Sequence, residues 1–376
     1  MKFESATAAG VLLLSAATAS AQSPAAEIGY PSTGPISGYM ELHFNDIEAA
    51  DPVVDFHRFV LIFSHGFTSR IRFMGELELE HAVVEGLEEK GEIELEQAYL
   101  DFLITRAFNA RAGMVLMPVG LINERHEPPV FQGVERPFVD TVIIPTTWFD
   151  PGVGVHGEVG RGFRYRAYLT TPLNAFEFSA DEGIRNGRQQ GSNARARNPA
   201  VTGRAEFVGV PGLTVGASAW TGRSTSDVPS IDVRVSVAEA DARYHRDRVE
   251  LRGEFAHVSI GDAARLNRTI ELQTGVSPNV AEALRGFYGE ASYRVWAAGP
   301  SKDVVAFVRY ENFDTQFRMP AGFLPLKQFD RDAWVAGATY YPDPDVAVKI
   351  DYVWQRNQSA VVKAPNSFNV GLGWWF

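Results

Sequence analysis

The stretch Asn366-Ser-Phe-Asn-Val-Gly-Leu-Gly-Trp-Trp-Phe376, at the end of the sequence, decides the fold. Side chains of an extended strand point alternately to its two faces, so a period of two marks one face of a strand. In a water-soluble protein, a strand with one wholly apolar face at a chain end would be an exposed edge that pairs with other chains. The large apolar residues of this stretch follow that period: Phe368, Val370, Leu372, Trp374 and Phe376.

The same stretch resembles the closing strand of bacterial outer-membrane β-barrels, in which the apolar face meets lipid. Upstream, segments of about 9–12 residues show the same alternation, as where Leu251 and Phe255 alternate with Arg252 and Glu254. The links between them are alternately short and long, as periplasmic turns and outer loops are. Counting these links predicts an all-β, antiparallel up-and-down transmembrane barrel of about 16 strands, with both termini in the periplasm.

The composition agrees with this fold and excludes two other classes of protein. The chain has no cysteine, which excludes a disulfide framework, and no run of about 18 apolar residues, which excludes helical membrane spans. Its 25 Phe, 12 Tyr, 7 Trp and 34 Gly suit strands that alternate between lipid and lumen. An acidic soluble protein of net charge −11 has similar totals, so the alternation, and not the composition, carries the prediction.

The N-terminal region divides into two segments before the barrel. Residues 1–21 are typical of a secretory signal, since Lys2 precedes an apolar stretch and Ala19-Ser20-Ala21 is a small-residue cleavage site. That stretch is shorter than the ~20 residues of a spanning helix, so we expect it to be removed. Residues 22–35 are predicted to be a periplasmic lead-in, and 36–376 the barrel. The expected location is the outer membrane of a Gram-negative bacterium.

Two strands change the phase of their alternation. Ile93 and Leu95 are apolar at odd positions, whereas the later apolar residues of that strand stand at even positions. The same change follows Val233 and Val235. A β-bulge in each strand explains the change, and so does a misplaced strand boundary. Five tryptophans lie towards predicted strand ends, where an aromatic girdle is expected: Trp220, Trp296, Trp334, Trp354 and Trp374.

A barrel of this size encloses an aqueous channel, so its inward-facing residues determine what passes. Six of the 35 basic residues are Lys and 29 are Arg, whose planar fork can hold a carboxylate or phosphate by two hydrogen bonds. A wall segregated by sign predicts a field across the pore that orients polar solutes; alternatively, its charges only neutralise one another. The predicted pore-lining residues are Glu76, Glu78, Glu94, Glu96, Arg111, Arg164, Arg166, Arg204, Arg252, Arg294 and Arg309.

The longest predicted loop, residues 118–150, is too apolar for disorder. Folding into the barrel would bury its apolar side chains and narrow the lumen. Alternatively, the loop packs over the barrel mouth or against a neighbouring subunit. The residues predicted to line the constriction are Asn123, Glu124, Arg125, His126, Glu127, Glu135, Arg136 and Asp140.

Four motifs resemble the phosphate-selective porin O and P family: Glu94-Leu-Glu-Gln-Ala-Tyr-Leu-Asp-Phe102, Ala110-Arg-Ala-Gly-Met-Val-Leu-Met-Pro-Val-Gly-Leu121, Pro145-Thr-Thr-Trp148 and Gly152-Val-Gly-Val155. The resemblance implies a trimeric diffusion channel whose third outer loop folds inward. It also implies basic residues along the pore in members that select phosphate. In this chain, Lys is scarce and acidic residues accompany the arginines.

Together these features predict a porin, a passive channel for small hydrophilic solutes or ions, with anions such as phosphate among them. Expected partners are these solutes, outer-membrane lipid and lipopolysaccharide, and two further copies in a homotrimer. Nucleic acid is not an expected partner. Two other functions stay open. One is a phospholipase-like barrel enzyme that uses His257 and Ser259 on the lipid face, and the other is a closed structural or adhesive barrel.

Other chemistry finds little support in the sequence. The histidines form no closely spaced pairs, and no nucleotide-binding fingerprint occurs, so neither a metal site nor a cofactor is predicted. One predicted outer loop is rich in arginine, and we expect these side chains to pair with lipopolysaccharide phosphates or to stay solvated. They are Arg185, Arg188, Arg195 and Arg197.

Overall fold

The computed structural model describes residues 35–84, 91–225, 232–298 and 302–376. Within these ranges, sixteen antiparallel strands form a closed barrel in which each strand pairs with its neighbours in sequence, as predicted. β1 also pairs with β16, from Tyr39 opposite Trp375 to Ile47 opposite Ser367, so the C-terminal stretch closes the ring. The predicted signal segment, 1–21, lies outside the described residues.

The strands run in chain order as β1 Ile36–Ile47, β2 Val53–Gly66, β3 Ile71–Glu80, β4 Ile93–Leu103, β5 Asn109–Leu116, β6 Phe149–Val159, β7 Phe163–Thr170, β8 Ala200–Val210, β9 Leu213–Thr225, β10 Asp232–Arg246, β11 Val249–Ile260, β12 Ala283–Ala297, β13 Asp303–Arg318, β14 Asp330–Asp343, β15 Val346–Asn357 and β16 Ser367–Trp375. One α-helix, α1 Ala263–Thr274, lies in the link between β11 and β12. None of the helices in the described ranges has both the length and the apolarity needed to cross a membrane.

The links follow the predicted rhythm with one exception. The link from β1 to β2 spans 48–52, which is no longer than the nominally short link 298–302. The alternation of short and long links is therefore not strict, because the link between β1 and β2 has only five residues.

Along most of the barrel, the strands have one apolar, exposed face and one polar, buried face. On β15, Val348, Ile350 and Trp354 are 39–48% exposed, whereas Lys349 and Asp351 between them are 3% exposed. An outward apolar band of this kind is what lipid requires, and closure of the ring leaves no unpaired edge.

The two predicted changes of phase have different causes. In β4, Glu76 of β3 faces Gln97 and Leu77 faces Leu95, so Glu96 is the extra residue of a β-bulge, as predicted. β10 pairs with β9 and β11 without a shift, so the second predicted bulge is wrong.

In β10, Val233 and Val235 are fully buried on the polar side of the sheet, not on the lipid side. They belong to the apolar cluster that also contains Leu266 and Ile270 of α1, and Arg265 of α1 donates to the Asp232 carbonyl oxygen at this end of the strand at 3.5 Å. Trp220 is likewise buried, at 5.3 Å from the ring of Trp148, and so does not belong to a girdle.

The segment 117–148 contacts the polar faces of strands all around the ring. Its contacts include Glu124 with Arg166 of β7 at 2.9 Å, and the Leu121 N–H donating to Glu254 of β11 at 3.2 Å. The segment comes close to the wall at Gly373 of β16, where a Cβ would lie 2.5 Å from Pro128. Only glycine leaves room for this contact. The apolar core of the molecule lies here, between this segment, the long links and the wall, because the outer face is given over to lipid.

Candidate functional site

A single buried asparagine joins the two ends of the segment 117–148. Asn123 donates through Nδ2 to the carbonyl oxygens of Met117 at 2.7 Å and Trp148 at 2.9 Å. Its Oδ1 accepts from the Trp148 N–H at 2.7 Å. Both polar atoms of the Asn123 side chain are thus bonded to the backbone at the ends of the segment. These bonds hold Met117, just after β5, beside Trp148, just before β6.

Basic side chains of the wall hold the middle of the segment. Lys349 Nζ donates to the carbonyl oxygens of Phe131 at 2.9 Å and Gly133 at 2.8 Å, and it lies 3.9 Å from the centre of the Phe131 ring. Arg309 Nη1 donates to the carbonyl of Gln132 at 3.0 Å. These anchors satisfy carbonyl groups that the irregular backbone would otherwise bury without partners.

Two arginines of the link between β7 and β8 hold the rest of the segment. Arg185 Nη1 donates to the Thr141 carbonyl at 3.0 Å, and Arg188 Nη1 donates to the Pro145 carbonyl at 3.3 Å. Burial, together with the neighbouring Arg188 charge, lowers the pKa of Arg185 to about 10. The expectation that these side chains pair with lipopolysaccharide or stay solvated is therefore wrong for Arg185 and Arg188, whose guanidinium groups bond to the segment. Arg197 is exposed, and the expectation for it stays a prediction.

Cavities open on both sides of the segment. One, of about 410 Å³, is lined by Glu80, Glu92 and Glu94 and also by Arg136 and Arg188. A second, of about 760 Å³, continues it towards the links 48–52 and 358–366. A third, of about 400 Å³, lies near the short turns of β10–β15, and its lining includes Arg243, Arg248, Arg252 and Arg294.

The structure separates the predicted constriction residues into two groups. Asn123, His126, Glu127 and Asp140 are at most 2% exposed, so they face the packing between segment and wall rather than an open bore. This corrects their predicted role. Within the segment, Asn123 bonds to the backbone of Met117 and Trp148, and His126 Nδ1 lies 3.1 Å from the Asn123 carbonyl oxygen. The other four are partly or fully exposed: Glu124, Arg125, Glu135 and Arg136.

Glu135 and Arg136 line the first two of these cavities, which we call the outer cavities. Glu135 also accepts from Asn45 of β1 at 3.0 Å, and Arg136 donates to Thr147 at 2.9 Å. Glu135 and Arg136 are therefore charged members of the predicted constriction that line these cavities.

The predicted wall residues all lie on the polar face, but not all of them face open space. Glu76, Glu78, Glu96 and Arg204 are at most 5% exposed and line none of the three cavities, so the prediction that they line the pore is wrong. Glu76 and Glu96 lie beneath His126 of the segment. The remaining predicted residues are cavity-lining or partly exposed: Glu94, Arg111, Arg164, Arg166, Arg252, Arg294 and Arg309.

The predicted segregation of charge by sign does not occur along the arginine side of the wall. Each predicted arginine lies 2.6–4.0 Å from a carboxylate of the same strand or of a nearby strand. The acidic strands in turn contain Arg58, which sequence reasoning missed and which pairs with Glu41 and Glu78. Buried charges require such pairing. The pairs are Arg111–Asp101, Arg164–Glu158, Arg166–Glu206, Arg204–Asp241, Arg252–Glu290, Arg294–Asp303 and Arg309–Glu311.

Asp140 is the fully buried acid of the segment, in its short π-helical turn Val139–Ile143. Burial, and then the nearby carboxylates of Glu311 and Glu239, raises the pKa of Asp140 well above its ordinary value. Between the ordinary pKa and the raised one, the folded state holds more protons than the unfolded state, so the stability due to Asp140 falls as pH rises.

We therefore expect Asp140→Asn to match the native protein at pH 4 and to exceed its free energy of unfolding by about 1 kcal/mol or more at pH 8. Urea unfolding in detergent micelles, followed by tryptophan fluorescence, measures the difference. Asp181→Asn is the control, because the Ser179 hydroxyl lowers the pKa of this exposed acid. Its effect should have the opposite sign. A gain from Asp140→Asn that does not depend on pH would contradict the argument.

The surroundings of His257 do not favour the hydrolase alternative. In the sheet, His257 faces Ala238 on one side and Arg285 on the other, and its ring meets Phe317 edge-on at 6.4 Å. None of these neighbours is the asparagine or carboxylate that would orient a catalytic imidazole.

Comparison with known proteins agrees with this architecture. No family model matches the sequence. Over 91% of its length the chain superposes on OmpF of Salmonella typhi in complex with daunomycin, with 14% identity, 97% of that chain covered and a TM-score of 0.61. The anion-selective porin from Comamonas acidovorans gives 11% identity over 91% of this chain and 98% of that one, with a TM-score of 0.58. The trimer form of OmpT, an outer membrane protein of Vibrio cholerae, is 12% identical over 91% of this chain and 98% of that one, with a TM-score of 0.57.

These likenesses, with the closed ring of strands, define the chain as a barrel of the porin fold. An uncharacterized protein of Aquifex aeolicus (strain VF5) is 34% identical over 352 residues, which are 91% of this chain and 79% of that protein. The chain belongs to the same family as this protein.

Proposed function

We propose that this protein is an outer-membrane porin, a passive diffusion channel for small hydrophilic solutes or ions. The observation that carries the proposal is the closed barrel with an apolar outer face and charged cavities on both sides of the segment 117–148. Such an outer face suits the outer membrane of a Gram-negative bacterium, and the segment would set the narrowest point. Catalysis has no supporting constellation around His257, so we propose no enzyme activity.

The charged side chains of the first outer cavity, of about 410 Å³, support a finer proposal, that polar solutes are oriented as they pass. Glu80, Glu92 and Glu94 come from β3, β4 and their link, whereas Arg136 and Arg188 come from the two segments opposite. The Arg188 guanidinium bonds to carbonyl oxygens, which fix it without cancelling its charge. Anions such as phosphate are the solutes that this guanidinium would hold best. A homotrimer, the form in which one OmpT structure was solved, is the proposed assembly.

The test is the current through purified protein in a planar bilayer, with the reversal potential measured under a KCl gradient. We expect stable conductance steps. Arg188→Gln should shift the reversal potential towards cation preference, and Glu94→Gln should shift it towards anion preference, because each removes one sign of charge from the same cavity.

Arg161→Gln, on the exposed turn between β6 and β7, is the matched control and should leave the potential unchanged. Absence of any conductance would overturn the channel and favour a closed structural barrel. Equal shifts from Arg188→Gln and Arg161→Gln would overturn the role of the outer cavity.

A further inference from the structure

Two groups of histidine and carboxylate side chains come together among the described residues, although the sequence shows no metal-ligand spacing. One group, Asp55, His57 and His81, lies in the outer cavities. The other, Glu76, Glu96 and His126, is buried where the segment 117–148 meets β3 and β4. Its three members are 20 and 30 residues apart in sequence, so only the fold unites them.

The buried group has the geometry of an ion site rather than of a simple ion pair. His126 Nε2 and Glu96 Oε2 lie 3.2 Å apart, and neither atom has a hydrogen bond to any other group of the described residues. The potential ligand atoms of all three residues lie within 4.8 Å of one another. Metal–ligand distances of about 2.0–2.2 Å place two ligands of one ion about 3–3.5 Å apart, which matches this separation.

The surroundings fix each ligand in position. His126 Nδ1 lies 3.1 Å from the carbonyl oxygen of Asn123, and donation to it leaves the lone pair of Nε2 facing the carboxylates. Gln97 donates to Glu76, as an outer-shell partner of a metal ligand does. Glu96 is the extra residue of the β4 bulge, which turns its side chain and that of Gln97 to the same face.

The charge of the neighbourhood also favours a cation. Glu78 and Glu127 are buried within the same region, at most 2% exposed. Two guanidinium groups lie nearby: Arg58 forms ion pairs with Glu41, Glu78 and Glu80. Arg136 donates to the Thr147 hydroxyl at 2.9 Å and to the His126 carbonyl oxygen at 3.5 Å. Carboxylates gathered in a dry site are stabilised by a bound cation.

We propose that Glu76, Glu96 and His126 bind a divalent transition-metal ion, for which Zn²⁺ is the probe. One imidazole nitrogen and two carboxylates are a ligand set suited to Zn²⁺, with a water or a further oxygen completing the shell. Ca²⁺ requires 6–8 oxygen ligands and is not expected to bind here. The ion would join the segment, through His126, to β3 and β4.

The experiment is refolding of the full chain into detergent micelles with Zn²⁺, with Ca²⁺, or with EDTA. Retained metal is then measured by mass spectrometry after gel filtration. We expect one zinc per chain, no calcium, and a higher Tm with Zn²⁺ than with EDTA. Glu96→Gln, which keeps the size of the side chain, and His126→Ala should each lower retained zinc about tenfold or more. His81→Ala, in the group of Asp55, His57 and His81, is the control and should retain as much zinc as the native protein.

Absence of retained zinc in the native protein would overturn the proposal and leave an ion pair between His126 and Glu96. Loss of zinc in His81→Ala, with retention in Glu96→Gln, would place the ion in the outer group and overturn it equally. If either variant at the buried group fails to fold, the proposal is tested by the visible absorption spectrum of the native protein refolded with Co²⁺. Nitrogen and oxygen ligation gives a four- or five-coordinate spectrum, and the spectrum of hexaaqua Co²⁺ would overturn the site.

Discussion

Replacement of Arg309 by methionine should lower the free energy of unfolding by about 3–5 kcal/mol, because it leaves buried carboxylates without their partner. Arg309 is 2% exposed and donates to Glu311 at 2.8 Å, to Glu290 at 3.1 Å and to the Gln132 carbonyl of the segment at 3.0 Å. Methionine fills a similar volume, so the loss reports charge and hydrogen bonding more than packing. Urea unfolding in micelles measures it.

Arg106→Met is the matched control, since Arg106 pairs with Glu158 but its side chain is 76% exposed. An exposed pair contributes about 0–1 kcal/mol, so this variant should unfold nearly as the native protein does. The triple variant Arg309→Met, Glu290→Gln, Glu311→Gln should recover part of the loss, because the uncompensated charges are gone. Equal stability of the two arginine variants would show that Arg309 is not an anchor.

Asn123→Ala should have the second large effect, on stability and on current together. The substitution removes three buried hydrogen bonds, at about 1 kcal/mol each, and releases the two ends of the segment from each other. Under the proposed function, the released segment should give a larger and noisier single-channel current. Bilayer recordings and urea unfolding of the same preparation test both expectations.

Asn267→Ala separates these two effects. Asn267 is also fully buried and bonds to both backbone groups of Val280, with Nδ2 donating at 2.9 Å and Oδ1 accepting at 2.8 Å. It does so in the link that contains α1, away from the segment 117–148. We expect this control to lose stability and to keep the native current. A change of current in both variants would attribute the effect to general loosening of the barrel.

The period-two alternation, with the count of links, was sufficient to predict the barrel and its number of strands. It also predicted most outward-facing residues, but not the burial of Val233, Val235 and Trp220. It is a local property, since a strand presents alternate residues to alternate faces whatever it pairs with. The C-terminal stretch is an example: its aromatic face and its pairing with β1 follow from eleven consecutive residues. The bulge at Glu96 was also visible, as a change of phase, whereas the similar change in β10 came from the packing of Val233 and Val235 in the apolar core.

The tertiary structure decided which charged residues are open to solutes. Glu76 and Glu94 stand on the same polar face, yet one is covered and the other lines a cavity. Two contacts between the segment and the wall, Val139 with Glu311 and Phe131 with Lys349, join residues 172 and 218 positions apart. The sequence determines the face on which each side chain stands, because that depends on neighbours along the chain. The burial of wall residues by the segment and the ion pairs between strands depend on distant parts of the chain meeting in space. So does the group of Glu76, Glu96 and His126. The alternation along a single strand carries no information about such contacts.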